Sequence, residues 1–309
     1  MIFCCLLNPA LDVVYSIDEL RSGSTFVDIQ SRVFPAGKGL NVAKVVRTLG
    51  EDVTVIGITG EDDERRFTRY LEDSKIDHCI YTVPGSIRIN ATIHEQSTSL
   101  VTHMNSSGSA LSSRIQDDFV EFTKKHISTG DLWCLTGSVP QGFENAIYAD
   151  LIKACRKKEI ETLLDSRGTP LKLGVRSKPS IIKPNITELE GFFGEQVQGV
   201  HHIALKGKRF LDMGIQYVFI SLGSDGMIAI HENDCLLCSP PQVKTADTVG
   251  CGDALVAGIL VARKRQFSFP ETCRIAIACG ASKAMHEGPG VVTRDEVWQL
   301  MEDVKITAA

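Results

Sequence analysis

Short apolar runs alternate with helix-forming segments through most of this 309-residue chain. Runs such as Val53–Thr59, Leu132–Leu135 and Tyr217–Ser221 are almost wholly apolar, as is typical of strands that are covered on both faces. The segments between them repeat apolar residues at helical spacing. Repeated strand–helix units predict a mainly parallel sheet with helices packed on it, which is an α/β fold. The strands predicted for this series are residues 2–7, 53–59, 77–83, 132–135, 162–164, 180–183 and 217–221, and the helices are 40–49, 61–74, 112–126, 143–158, 187–193, 252–265, 270–286 and 294–303.

Four further segments have a different pattern, in which apolar and polar residues alternate. They are residues 11–17, 26–34, 87–95 and 99–104, and alternation of this kind indicates strands with one exposed face. We therefore expect a small accessory sheet that is inserted as a lid at about residues 11–34 and 86–104. No Pro- or Ser-rich linker divides the chain, so the sequence predicts a single domain over residues 1–309.

Charge and composition exclude several classes of function. The 33 basic and 38 acidic residues give a net charge of -5, which argues against nucleic acid or an anionic membrane as the main partner. The apolar N-terminus lacks a basic leader, and no apolar run approaches the ~20 residues that span a bilayer, so we expect a cytoplasmic protein. The ten cysteines lie in apolar segments and are expected to be reduced core residues.

A glycine turn leads from an apparent short strand, Val243–Ala246, into the helix that begins near residue 252. Gly250 and Gly252 permit backbone angles that let peptide NH groups converge at the positive end of this helix, which makes an anion-binding turn. Asp253 beside the turn would repel a phosphate unless it removes a proton during the reaction. Taken alone, the Gly-x-Gly-Asp pattern favours ordinary helix capping over a catalytic site.

A second glycine turn enters a helix near the other end of the chain, at Pro35–Asn41, and carries Lys38 and Asn41. Ligands of α/β proteins bind at the carboxyl ends of the strands. Two such turns in one α/β chain therefore suggest that a phosphoryl donor and its acceptor are held by separate helix N-termini.

The two turns resemble the paired signatures of the ribokinase-like carbohydrate kinases, the PfkB family. These signatures are Ala36-Gly37-Lys38-Gly39-Leu40-Asn41 and Asp247-Thr248-Val249-Gly250-Cys251-Gly252-Asp253. The resemblance covers essentially the whole chain, and five other stretches are similar to the phosphofructokinase and tagatose-6-phosphate kinase branch. They are Asn8–Asp12, Arg88–Asn90, Thr136–Pro140, Lys183–Glu188 and Ser221–Gly226. The resemblance implies a three-layer α/β/α sandwich with a small β-sheet lid, and it favours catalysis over plain capping at Asp253.

The resemblance implies that Asp253 is the base that accepts the proton of a sugar hydroxyl as it attacks the γ-phosphate of ATP. The peptide NH groups of Gly250, Cys251 and Gly252 would stabilise the charge on the transferred group. Cys251 departs from the small Ala or Ser that is usual at its position. Its thiol is either acidified by the helix N-terminus or buried and inert, and the sequence leaves both open.

The remaining site residues implied by the resemblance fall into three groups. Lys38 and Arg88 are candidates for a phosphate already present on the substrate, because both are cationic. The residues expected to bind the sugar are Asp12, Gly37, Asn41, Asn90 and Ser138, and those expected at the nucleotide are Lys183, Asn185, Ser221, Gly223 and Gly226. Asn185 and Glu188 would position Mg²⁺ through water, although their spacing also fits a simple helix cap.

The resemblance predicts that ATP and Mg²⁺ serve a kinase acting on the hydroxymethyl group of a ketose phosphate. Tagatose 6-phosphate, fructose 6-phosphate and fructose 1-phosphate are the candidates. An unphosphorylated sugar or nucleoside is the alternative substrate, since Thr25–Asp28 lack the basic residue often found before the first loop in the phosphosugar branch. A non-catalytic sugar-phosphate sensor is the alternative of another class.

Two questions about partners stay open at this point. One is whether a monovalent cation binds beside the second glycine loop. The other is whether a homodimer forms through the lid sheet, for which Val13, Tyr15, Val27 and Ile29 are the candidate contacts.

Overall fold

Strands and helices alternate along the chain in a computed structural model that describes residues 1–98 and 100–309. The strands are β1 (Ile2–Leu6), β2 (Ala10–Ile17), β3 (Gln30–Ala36), β4 (Val53–Gly60), β5 (Asp77–Val83), β6 (Arg88–Glu95), β7 (Val101–Asn105), β8 (Leu132–Thr136), β9 (Glu161–Asp165), β10 (Ile181–Ile182), β11 (Tyr217–Ser221), β12 (Met227–His231), β13 (Asp234–Ser239) and β14 (Lys305–Ala308). The helices are α1 (Lys38–Thr48), α2 (Glu64–Asp73), α3 (Ser113–Lys124), α4 (Ile147–Arg156), α5 (Gly168–Arg176), α6 (Ile186–Phe193), α7 (Gly199–Asp212), α8 (Cys251–Lys264), α9 (Phe269–Met285) and α10 (Arg294–Asp303).

The main sheet has ten strands in the order β14-β13-β12-β11-β10-β9-β8-β1-β4-β5. The strands from β11 to β5 in this order run parallel, whereas β12, β13 and β14 are joined by antiparallel pairing. The carboxyl ends of the parallel strands therefore meet at one edge, where α/β proteins bind ligands.

Both faces of the main sheet are covered by helices. Successive residues of a strand point to opposite faces, so Cys4 and Leu6 of β1 join one core cluster while Cys5 and Leu7 join the other. The first cluster contains residues of α1, α2, α8, α9 and α10, and the second contains residues of α3 to α7. The predicted three-layer sandwich with a mainly parallel sheet is confirmed.

The lid is a separate four-stranded sheet with the order β3-β2-β6-β7. One row of cross-strand partners is Phe34, Asp12, Asn90 and Asn105. The next row is Val33, Val13, Ala91 and Met104. Because neighbouring positions along a strand point to opposite faces, one lid face is polar near these rows and the other is apolar.

Several boundaries differ from the sequence predictions. The strand expected from residue 26 starts only at Gln30, and Val243–Ala246 is an irregular segment, because no neighbouring strand pairs with either stretch. Helices α2 and α4 begin later than predicted, at Glu64 and Ile147. The predicted start of a strand at Ser99 lies outside the described residues, and β7 begins at Val101.

All ten cysteines are free thiols in the described part of the chain, and seven of them are buried. This agrees with the prediction of reduced core residues. Among residues 1–98 and 100–309, no helix has the length and apolar character needed to cross a membrane.

Candidate active site

The N-terminus of α8 forms the turn that the second glycine motif predicts. Gly250 has φ 86°, and a Cβ at this position would lie 3.2 Å from Pro289. Both the left-handed backbone angle and the close approach of Pro289 therefore favour glycine here. The NH of Cys251 donates to the Thr248 carbonyl at 3.3 Å. The NH groups of Gly250 and Gly252 have no acceptor among the described residues. They are therefore free to bind an anion at the positive end of α8.

The first glycine loop brings α1 close to β1. Gly37 has φ 138°, and a Cβ at this position would lie 2.6 Å from the Leu6 side chain. A Cβ at Gly39 would clash with the Cys5 carbonyl. The two glycines thus permit the backbone of α1 to start directly over β1, which directs Lys38 and Asn41 towards α8.

Asp253 is buried in the first turn of α8, between these two loops. Its Oδ2 accepts a hydrogen bond of 2.9 Å from Asn41 Nδ2, and its Oδ1 lies 3.5 Å from Lys38 Nζ. Burial raises the pKa of Asp253 above the ordinary aspartate value, and the charge of Lys38 opposes this shift. The arrangement gives a desolvated carboxylate with one hydrogen-bond donor and one cation beside it.

Asp165, at the end of β9, is a buried carboxylate that the sequence interpretation missed. It lies 2.6 Å from Lys38 Nζ and 3.3 Å from Lys183 Nζ. Burial alone would raise the pKa of Asp165, but the charges of Lys183 and Lys38 outweigh it, so this pKa is lowered. Asp165 therefore stays ionised and holds both lysines at the edge of the sheet.

A cavity of about 690 Å³ lies against the N-terminus of α8 and the residues before it. Its wall joins the anion-binding turn to the start of α6 and to the turn after β11. The sequence-predicted residues that line it are Lys38, Lys183, Asn185, Glu188, Ser221, Gly223, Gly226, Gly250, Cys251, Gly252 and Asp253. The structure thus brings all the residues expected at the nucleotide into one wall.

A second cavity, of about 310 Å³, lies beneath the polar face of the lid. Lys38 and Glu188 line both cavities, so the two meet there. The sequence-predicted residues in its wall are Lys38, Arg88, Asn90 and Ser138. Arg167, which the sequence interpretation did not select, adds an exposed cation to this wall.

Three of the predicted sugar-binding residues do not line the second cavity. Asp12 accepts a hydrogen bond of 2.8 Å from Asn90, which does line it. The side-chain amide of Asn41 donates its hydrogen bond to Asp253. Gly37 has no side chain, and its backbone packs against the side chain of Leu6. In this structure these residues position the walls of the site, and their contact with a sugar stays a prediction.

Asn185 and Glu188 form the helix cap that the sequence left open as the alternative to metal binding. Asn185 Oδ1 accepts from the Glu188 NH at 2.8 Å, and Glu188 Oε2 accepts from the Asn185 NH at 2.9 Å. No group of three or more His, Cys, Asp or Glu side chains in the described chain is placed to hold a metal ion. Glu188 nevertheless faces both cavities, so it fits a Mg²⁺ ion whose other ligands are phosphate oxygens and water.

The thiol of Cys251 is half-buried at the start of α8. Burial raises the pKa of Cys251, while the charge of Lys283 acts in the opposite direction. Of the two possibilities that the sequence left open, the structure favours an unreactive thiol.

Comparison with known proteins addresses the chain as a whole. Residues 13–295 match the family model described as pfkB family carbohydrate kinase. The chain belongs to the pfkB family of carbohydrate kinases. A 1-phosphofructokinase of Vibrio cholerae is 32% identical to this pfkB kinase over 98% of the chain and 95% of its own length. A 1-phosphofructokinase of Escherichia coli K12 is 30% identical over 97% of the chain and 96% of its own length.

Solved structures agree on the fold of this pfkB kinase. Phosphofructokinase-2 from Escherichia coli, solved in complex with potassium, superposes with a TM-score of 0.92, at 22% identity and with 98% of each chain covered. The predicted membership of the PfkB family, its phosphofructokinase branch and the carbohydrate kinase activity are therefore confirmed.

Proposed function

We propose that this pfkB kinase transfers the γ-phosphoryl group of ATP to the 6-hydroxymethyl group of fructose 1-phosphate. The observation that carries the proposal is the meeting of the two cavities at Lys38 and Glu188, with Asp253 buried beside the junction. Relatives named 1-phosphofructokinase, aligned over nearly the whole chain, favour fructose 1-phosphate among the three candidate ketose phosphates.

In this mechanism the sugar hydroxyl lies between Asp253 and the γ-phosphate. Its oxygen forms a bond to the γ-phosphorus while the bond from that phosphorus to ADP breaks, and the hydroxyl proton passes to Asp253. The free NH groups of Gly250 and Gly252 bind the oxygens of the group in transfer. Asn41 holds Asp253 in position through its amide, and Lys38 favours the ionised carboxylate that accepts the proton.

The smaller cavity is suited to an acceptor that already carries a phosphate. Arg88 is half-buried there, and its guanidinium donates to the carbonyls of Asn8 at 3.2 Å and Ser106 at 3.3 Å. Its Nε atom is buried and has no partner in the described chain. Arg167 adds a second guanidinium, and planar guanidinium groups suit phosphate oxygens. This cationic wall favours a sugar phosphate over an unphosphorylated sugar.

The proposed reaction uses ATP together with Mg²⁺. Glu188 and Asn185 would hold the ion through water at the rim of the nucleotide cavity. When bound, the ion neutralises charge on the phosphates of ATP.

Turnover of a sugar panel tests the proposed substrate. With saturating ATP and Mg²⁺, we expect kcat/KM for fructose 1-phosphate to exceed that for fructose 6-phosphate, tagatose 6-phosphate and fructose by at least about tenfold. The preference over the two 6-phosphates is expected from the relatives named 1-phosphofructokinase. The preference over fructose is expected because fructose lacks a phosphate for the cationic wall. The product is expected to be fructose 1,6-bisphosphate, identified by ³¹P NMR. Preference for another member of the panel would contradict the assignment.

A variant of Arg88 tests the cationic wall within the same assay. Arg88→Met is expected to raise KM for fructose 1-phosphate at least about tenfold and to leave KM for ATP unchanged, because a charge-assisted contact is lost only on the acceptor side. Arg69→Met is the control, since Arg69 is exposed on α2 and, among the described residues, pairs only with Asp73. Equal KM values in the two variants would exclude a role of Arg88 at the sugar phosphate.

We also propose that two copies of the chain pair through the apolar face of the lid. Val33, Ile89 and Met104 on this face are 47%, 54% and 51% exposed, which is unusual for large apolar side chains placed together. Val13 lies in the same row as Val33 and Met104, and Tyr15 is two residues further along β2 on the same face. A second copy would cover this face symmetrically. Val27 and Ile29 precede β3 and would contribute from the lid's edge.

Two predictions about the chain as a whole stay predictions. One is the single kinase domain over residues 1–309, which is supported by two core clusters sharing one sheet. The other is the cytoplasmic location.

A further inference from the structure

Lys283 is a fully buried lysine that the mechanism described above does not use. It lies near the end of α9 and is 0% exposed. Lysines in the last turn of a helix ordinarily extend into solvent or bind the last carbonyls of their own helix. Lys283 binds the carbonyl of His286, the C-cap residue of its own helix, but it also reaches across to Asp247, which opens the second glycine motif. Helix capping therefore accounts for only one of its contacts.

The ammonium group of Lys283 has three oxygen acceptors. Its Nζ lies 3.0 Å from the Asp247 carbonyl, 3.4 Å from Asp247 Oδ2 and 2.9 Å from the His286 carbonyl. An ammonium group carries three N–H bonds, so each donor can be matched with one acceptor. A carboxylate and two carbonyls are also the oxygen ligands that hard metal cations take in proteins. The surroundings of Nζ therefore resemble a cation site filled by a side chain.

The same three contacts tie together two segments that shape the anion-binding turn. Asp247 begins the turn, and its carboxylate also accepts from the NH of Val249 at 2.9 Å and from the NH of Gly288 at 3.1 Å. The segment after α9 continues to Pro289, which lies against Gly250. Lys283 therefore binds both the start of the turn, at Asp247, and the segment after α9, at His286.

The charge of Lys283 matters as well as its contacts. Asp247 places a carboxylate beside a turn whose free NH groups are suited to a negative phosphoryl group, and an uncompensated carboxylate would repel that group. Lys283 supplies the compensating charge at 3.4 Å. The positive charge of Lys283 also acts on Cys251, the first residue of α8. It lowers the pKa of that thiol, in opposition to the larger effect of burial.

We propose that Lys283 is a built-in cation of this kinase, which holds the Asp247–Gly252 turn in its anion-binding shape and neutralises Asp247 in the way that a bound monovalent cation would. Lys283 is a positioning residue, since it acts on the phosphoryl group through the turn. The proposal answers for this chain the question of a monovalent cation at the second glycine loop. The parent protein needs none, because its cation is covalently attached.

The experiment compares the parent protein with Lys283→Met and Lys283→Ala in potassium, ammonium or tetramethylammonium chloride of equal concentration. The parent is expected to show the same kcat and the same melting temperature in all three salts, within about twofold for kcat. Lys283→Met is expected to lower kcat about tenfold or more, with KM for the sugar unchanged, because the turn is needed mainly in the transition state.

Lys283→Ala leaves a space lined by three oxygens. Potassium and ammonium ions are expected to enter it and to restore kcat by about fivefold or more over tetramethylammonium, which is too large to enter. They are also expected to raise the melting temperature of Lys283→Ala, whereas a purely structural loss would not depend on the cation. Lys206→Ala is the matched control, because Lys206 is a buried lysine that pairs with Glu195 on the other side of the sheet.

Two results would overturn the proposal. One is potassium-dependent activity or stability of the parent protein, which would show that a free cation is still required. The other is a Lys283→Ala variant whose melting temperature responds to the cation no more than that of Lys206→Ala. The proposal rests on the proposed kinase activity, but the melting measurements need no turnover, so a failure of that activity is distinguishable from a failure of the Lys283 assignment.

Discussion

At the scale of single residues, Asp253 is subject to opposing effects. Burial raises its pKa and thus favours the protonated acid, which cannot act as a base. Lys38 at 3.5 Å and the hydrogen bond from Asn41 both favour the ionised form. The kinase therefore has a desolvated carboxylate with a raised pKa, in which Lys38 and Asn41 favour the ionised form that accepts a proton.

This balance predicts a specific pH dependence. The kcat/KM of the parent protein should fall as pH decreases through the pKa of Asp253, at a pH above the ordinary aspartate value of about 3.9. In Lys38→Met the pKa of Asp253 should rise further, because the opposing positive charge is lost, so the acidic limb should move to higher pH. The pH profile of kcat/KM for both proteins measures this shift, and the control is Lys44→Met, which removes a cation that contacts Pro289 instead of Asp253. An acidic limb at the same pH in the parent and Lys38→Met would contradict this account of Asp253.

Residue motifs in the sequence indicated both glycine loops, Asp253 and most of the nucleotide wall. Asp165 was missed because no motif marks it, although it directly follows the strand predicted over residues 162–164, at the ligand-binding edge of the sheet, and this position was the available signal. Lys283 was likewise missed. It follows Ala276 and Cys279 at helical spacing on a buried face of α9, but this pattern shows burial and not the distant oxygens that surround its ammonium group.

At the scale of elements, α8 and α9 are held together at a glycine. A Cβ at Gly258 of α8 would lie 2.7 Å from the Ala276 Cα of α9, which is backbone and cannot move without displacing the helix. This close packing positions the start of α8, and thus Asp253, relative to the buried Lys283 on α9.

The contact predicts opposite effects for two glycine-to-alanine variants. Gly258→Ala should lower the free energy of unfolding by about 1–3 kcal/mol, because the added methyl overpacks the helix interface. Gly191→Ala is the matched control, since Gly191 lies inside α6 with nothing within 4 Å of its added Cβ. It should raise the free energy of unfolding by about 0.5–1 kcal/mol through helix propensity. Urea titration of both variants measures the difference, and equal effects would show that the interface is looser than described.

The elements that the sequence predicted best are the buried strands and most of the long helices. Helix α7, which has 14 residues, was not predicted. Helix α5 was missed because Gly168, Pro170 and Gly174 suggest a loop, whereas Gly174 permits close packing against Leu164. The strands β12 and β14 were missed because antiparallel pairing at a sheet edge depends on residues distant in sequence.

At the scale of the whole molecule, the two lid faces have different roles. The polar face covers the acceptor cavity through Asn90 and Asn105, and the apolar face is directed away from it. The proposed sugar site and the proposed dimer contact therefore lie on different faces of the lid. Sequence alternation predicted that the lid strands have two faces, but the strand register was needed to define the apolar surface.

The dimer proposal predicts that charges on the apolar face separate the copies. The parent protein should sediment as a dimer at micromolar concentration, and Val33→Asp combined with Met104→Asp should sediment as a monomer, because each buried charge would be unpaired at the interface. Leu205→Asp is the control, because Leu205 is a 51% exposed apolar residue on α7, outside the lid. If the parent protein sediments as a monomer at micromolar concentration, the dimer proposal is wrong.

The central claim is that Asp253 accepts the proton from the hydroxyl of fructose 1-phosphate during phosphoryl transfer from ATP. The most direct test is single-turnover transfer by Asp253→Asn, which keeps the size of the side chain and its place beside Asn41 while removing the base. The rate of bisphosphate formation should fall at least ~10²-fold, with the melting-temperature shift caused by an ATP analogue and fructose 1-phosphate retained. Transfer by Asp253→Asn at the parental rate would contradict the account.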